Sequence, residues 1–259
     1  MGFVYLVAFA SIYIQSPGLY GKSGLLPVSA FVHNILHLDQ AFLWRARPPE
    51  IGVDSWMDII CLAGMLLSTL AAAGWGYIPL FAGCWACYTT LFLAGQTFLS
   101  FQWDILLLEV GGLTLLVAPL CPLTGRGPPA GSAALALHWC LFKLMFLSGV
   151  VKVQAGCPTW MGLTALHYHY ATQCIPTPWA WHAHQLPNFV QKFSVASTFA
   201  IQVPVSLLLL TPWRAGRTFA AALLSILMGA IMLTGNYAFF NLLSLALCLS
   251  AWLPLPATH

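Results

Sequence analysis

Long apolar runs decide what this chain can fold into. "AALALHWCLFKLMFLSGVV" (133–151) carries one charge, and "TFAAALLSILMGAIMLT" (218–234) carries none. A bilayer-spanning helix needs roughly 17–25 mostly apolar residues, and comparable runs recur along all 259 residues. Only 6% of the chain is charged and 60% is hydrophobic, whereas a soluble domain carries about 25% charged residues. No water-facing surface can be built from this composition. Backbone groups cannot stay unpaired in lipid, so the runs must be helices. The expected fold is all-α, a polytopic membrane helix bundle of about eight spans near 3–16, 57–74, 77–99, 105–120, 133–151, 190–210, 217–233 and 238–254.

The expected organisation is a single membrane domain over 1–259, with long connections at 17–56 and 152–189. The first run has no basic lead-in and continues past Ala10, so it reads as an uncleaved span rather than a secretory leader. A net charge of +3 without a basic cluster is too small to suggest a nucleic-acid partner, and none is expected. No phosphate loop, nucleophile elbow or N-glycosylation sequon occurs, and no cofactor is implied.

Alternating spans put both long connections, the start of the fourth span and the "TGNYAFFN" turn on one side of the membrane. That side holds five Lys/Arg and all six acids, whereas the opposite loops hold Arg126, Arg214 and Arg217. Short loops with only positive charge favour the cytosol, so the long connections are expected to be lumenal or extracellular.

The six acids include two in "FLSFQWDILLLEVGG" (98–112). Asp104 opens a helix and suits an N-cap. Glu109 lies inside the apolar run, where an unpaired charge costs at least roughly 2–3 kcal/mol. Five residues place the two acids about 140° apart, against a carboxylate dyad. A lysine of the fifth span, Lys143 or Lys152, is the natural partner, and Lys152 shares the interface with Glu109. Lys152 has an alternative reading as an interfacial lysine that reaches the headgroups. Lys143 has one as a structural ion pair.

Residues 157–189, "CPTWMGLTALHYHYATQCIPTPWAWHAHQLPNF", hold two H-x-H pairs, His167 with His169 and His182 with His184. Four imidazoles suit a metal, but H-x-H on a helix splays the rings about 200°. The expectation is therefore no metal, with the histidines among interfacial aromatics. On an oxidising side, Cys157 and Cys174 form a possible disulfide. Gly235-Asn236 reads as a tight turn between helices, with Asn236 and Asn241 flanking aromatics and their amides suited to freed backbone groups.

"GQTFLSFQWDILLLEVGGL", "LFKLMFLSGVVKV", "CPTWMGLTALHYHYATQCIPTPWAWHAHQLP" and "LTGNYAFFNLLSLALCL" together resemble the lipase maturation factor family across nearly the whole chain, and "TQCIPTP", with Cys174, is similar to its type 2 branch. The resemblance implies a non-catalytic, multi-pass protein of the endoplasmic reticulum membrane. Its partners would be the bilayer and secretory clients, lipases such as lipoprotein lipase, whose folding and maturation it would assist. Lys143 stands where the family usually has Arg, Met161 where it has a second Trp, and Ala171 where it has an acid. The family's large lumenal C-terminal region is not in the sequence. "FLSGVVKV" is also similar to the segment around the catalytic lysine of vitamin K-dependent carboxylases, which implies an alternative: a membrane-embedded enzyme using Lys152 as base.

Overall fold

In the computed structural model, residues 1–119, 132–173 and 175–253 are described. Each of the eight apolar runs carries a helix, and no strand occurs among the described residues. They are α1 (Gly2–Leu19), α2 (Val53–Ala72), α3 (Ile78–Ala94), α4 (Gln102–Val117), α5 (Ser132–Gln154), α6 (Asn188–Ala200), α7 (Arg214–Thr234) and α8 (Phe240–Leu249). Helix α6 continues as a π-turn, Ile201–Val205, and then as a 3₁₀ segment, Ser206–Leu210. The chain is a polytopic helical membrane protein. Among the described residues, five helices are long and apolar enough to cross a membrane: α1, α2, α5, α7 and the composite 188–210. Among the same residues the expected count of eight is not reached, because α3, α4 and α8 have 17, 16 and 10 residues.

Two compact units divide at Pro129 and Ala130. In unit one, α1 packs on α2, α2 on α3, and α3 on α4. Small residues set the closeness of the first pair: a Cβ on Gly64 would sit 2.5 Å from the Phe9 ring. Tyr5, Phe9 and Tyr88 form the centre, each fully buried, with Tyr88 edge-on to both others. The connection after α1 folds over the end of α3 through side-chain donors. Tyr20 donates to Gly95 O at 3.0 Å and Trp44 Nε1 to Thr90 O at 2.8 Å, while Trp56 Nε1 of α2 donates to Leu43 O of the connection at 2.9 Å. Charge supports the same connection, since the Asp54 carboxylate accepts the Lys22 amide.

In unit two, α5 packs against the π and 3₁₀ segments that extend α6, α7 packs on α8, and α8 on α5. A Cβ on Gly149 would meet Val203 Cγ2 at 2.6 Å, so the bare glycine lets the π-turn approach α5. Arg217, buried in the first turn of α7, donates Nη1 to the carbonyls of Thr211 and Pro212. His138, also buried, bonds Ser250 O at 2.6 Å. These contacts cover carbonyls that helix ends leave free.

Overpacking a tight helix contact costs about 1–3 kcal/mol. Gly64→Ala is therefore expected to lower the thermal unfolding midpoint of the purified protein. Gly229→Ala, where an added Cβ has open space, is expected to hold or raise it, because Gly in a helix costs about 1 kcal/mol relative to Ala.

Candidate functional site

The site grows from the end of α5. Lys152 lies two residues before Gln154, where the helix stops. Its ammonium donates to Ser148 O one turn back at 2.6 Å and to Gln202 Oε1 at 3.0 Å. It also lies 5.2 Å from the centroid of the Trp160 ring, within cation–π range. All three partners are neutral, where the sequence suggested a carboxylate. Gln202 is buried on the π-turn. Pro204, two residues on, has no N–H and disrupts regular α-helical bonding. That wider turn aims the Gln202 amide at α5, and π-turns recur at functional sites.

Beside this pair lies an open apolar cavity of about 460 Å³, lined by Val153, Trp160, Met161, Phe199, Val203 and Pro204 among others. Its volume falls in the range of about 300–1,000 Å³ typical of small-molecule sites. The indole of Trp160 is common to the cavity wall and to the ammonium.

Around it, the 155–187 connection is tied down by side chains. His167 pairs with Asn188 at 3.0 Å, and His169 pairs with the Tyr237 hydroxyl at 2.9 Å. The i, i+2 spacing thus sends the two rings to different partners, as helical geometry requires. Gln173 Nε2 donates to Thr234 O at 2.8 Å and Thr177 Oγ1 to Leu233 O at 2.7 Å, covering the last carbonyls of α7. The connection and the turn before α8 therefore meet at one end of unit two. His182 and His184 lie in a short helix, Pro178–His184, and Gln191 Nε2 donates to His184 O. Among the described residues, no group of three or more His, Cys, Asp or Glu side chains could hold a metal. Cys157 Sγ lies 3.1 Å from Thr159 Oγ1. Its expected disulfide partner, Cys174, lies outside the described residues.

In unit one, Asp104 is not the cap the sequence suggested. The helix starts earlier, with Phe101 at the cap, so Asp104 falls in the first turn and faces inward. It is 1% exposed and accepts the Tyr88 hydroxyl at 2.6 Å, and its Oδ2 has no hydrogen-bond partner. Glu109 is exposed, Lys143 is half-buried, and neither is without a partner. Asn236 accepts the Ala238 amide at 3.4 Å, whereas Asn241 is buried with its Oδ1 unpaired.

Sequence reasoning singled out Lys152 and missed Gln202, Trp160 and Ser148. The signals were present: Ser148 is one helical turn from Lys152, and Gln202 is a lone amide two residues before a proline in an apolar run. Tyr88 was likewise not foreseen, because nothing in a sequence aims one tyrosine at an acid 16 positions away.

Burial lowers the His169 pKa below its ordinary value of 6.5, which favours the neutral ring in the folded state. Its stabilising effect is therefore complete above about pH 6.5 and is lost as pH falls from there through the folded pKa. Between pH 8 and pH 5, the 165–177 segment is expected to become more susceptible to limited proteolysis. In His169→Gln that acid-dependent increase should shrink.

The model of the lipase maturation factor transmembrane domain matches residues 1–253. Lipase maturation factor 2 of Gallus gallus is 47% identical over 95% of this chain and 36% of its own length. That of Xenopus tropicalis is 45% identical over 95% and 37%. Lipase maturation factor 1 of Mus musculus is 29% identical over 95% and 45%. The chain thus spans less than half the length of these relatives. No solved structure matches it. A transmembrane-domain match over nearly every residue, carried by helices that provide the Lys152 site, places the chain in the lipase maturation factor family.

Proposed function

We propose that this chain is the membrane part of a factor that assists folding and maturation of secretory proteins, with lipases as clients, at the endoplasmic reticulum membrane. The observation that carries this reading is the 45–47% identity, over 95% of the chain, to proteins named lipase maturation factor 2. The role is binding rather than turnover, and the clients are lipases such as lipoprotein lipase. The long connections face the lumen, in keeping with their charge pattern.

The geometry supports a presentation role for one end of unit two. There the tied-down 155–187 connection exposes Tyr168, Ile175, Trp179 and Trp181, and the start of α6 exposes Phe189 and Phe193. Aromatic side chains on a fixed backbone offer large contact area at low entropy cost. Asp104, Glu109 and Lys143 support the bundle. Lys152, His167 and His169 hold the α5 end and its connection, and Asn236 and Asn241 hold the turn before α8. A Cys157–Cys174 disulfide belongs to the same lumenal reading.

The test is secretion of active lipoprotein lipase from cells lacking the family, complemented with this chain, Lys152→Met or Trp181→Ala. The chain is expected to restore secretion and both variants to lower it several-fold at equal expression. No restoration by the parent chain, despite its reaching the endoplasmic reticulum, overturns the reading.

A further inference from the structure

We propose that the cavity beside Lys152 is a lipid site. One acyl chain of an anionic phospholipid lies against Trp160, Phe199 and Pro204, and its phosphate meets the Lys152 ammonium. The inference does not rest on the maturation reading. Three observations carry it.

First, the cavity walls are apolar and open outward: Met161 and Ala200 are exposed, and the remaining lining is Val, Trp, Leu, Phe and Pro. A concavity of this kind among membrane helices is filled by hydrocarbon, because leaving it to water would waste apolar contact area. The π-turn makes the hollow. Pro204 cannot donate a backbone bond and Gly149 draws the π-turn towards α5, so the regular helix wall is interrupted beside the cavity.

Second, no described partner of the Lys152 ammonium carries a compensating charge: they are a carbonyl, an amide oxygen and an indole face. A half-buried ammonium without an anion is costly, because burial removes part of its hydration and nothing charged replaces it. An ammonium has three N–H donors, and the two hydrogen bonds use two of them.

Third, the two features are joined. Trp160 both lines the cavity and lies under the ammonium, so an occupant bound along the indole has its polar end within reach of Lys152. The last turn of α5 is where a lysine meets headgroups. Together these features fit a ligand with a hydrocarbon tail and one negative headgroup drawn from the surrounding bilayer.

The experiment is native mass spectrometry of the purified chain in detergent, offered equal amounts of phosphatidylglycerol and phosphatidylcholine with identical acyl chains. One lysine near a membrane surface favours an anionic lipid by about 1 kcal/mol, or about fivefold. The parent chain is expected to retain phosphatidylglycerol over phosphatidylcholine by that factor. Lys152→Met should erase the preference while keeping bound lipid, and Lys152→Arg should keep both. Ala200→Trp, which fills the cavity from an exposed position, should lose both lipids with an unchanged unfolding midpoint. Equal retention of the two lipids by the parent chain overturns the proposal. So does a preference that survives Lys152→Met, or an Ala200→Trp variant that retains lipid undiminished. A second copy of the chain held in place of lipid, seen as dimer mass, also overturns it. Lipid retention is read without any client, so its failure leaves the secretion test untouched.

Discussion

Hydrocarbon offers a backbone no hydrogen-bond partner, and the rest of this structure follows from that. Within a helix the ladder solves the problem, but each helix end leaves carbonyls open. Here the donors are side chains that combine an apolar body with one polar atom. Trp44, Trp56 and Tyr20 each donate to a main-chain carbonyl in unit one. Gln173, Thr177 and Arg217 do so at the two ends of α7. Such residues hide their bulk in the apolar interior and give up one donor where it is needed. The abundance of Trp in a chain with so few charges acquires a structural reason: indoles do work that water does elsewhere.

Lys152 belongs to the same scheme and departs from it. Its bond to Ser148 O covers a carbonyl in the last turns of α5. Its second bond reaches a side-chain amide on another segment, and that amide is aimed by an irregular turn. A lysine needed only to reach the headgroups would require neither. The fixed geometry, set beside an apolar hollow, is what distinguishes this lysine from one that only snorkels to the interface.

The helices were legible in the sequence because lipid leaves only one solution for an apolar run. Their lengths were less so. Composition continues past residue 94 without a charge, yet the chain leaves the helix at Gly95 and Gln96 takes a positive φ of 46°. Lys152 stood out because charges are rare, and the divergence of the H-x-H rings followed from helical pitch. Hidden from the sequence were partners set by packing across many residues: Gln202 for Lys152, Tyr237 for His169, and Tyr88 for Asp104. Asp104 shows the limit well. The pattern gave a helix start within a few residues, and a shift of that size turned a surface cap into a buried acceptor.

The order of packing in unit one carries a consequence for biogenesis. Helix α2 meets α1, α3 meets α2, and α4 meets α3, so each new segment finds its partner already made. Contacts between sequence neighbours form quickly and need little search, and chains assemble from the N-terminus as they are synthesised. The buried Asp104 is then never stranded in lipid: Tyr88, which shields it, belongs to the helix that emerges just before it. The chain inserts its costliest acid only after synthesising the hydroxyl that receives it.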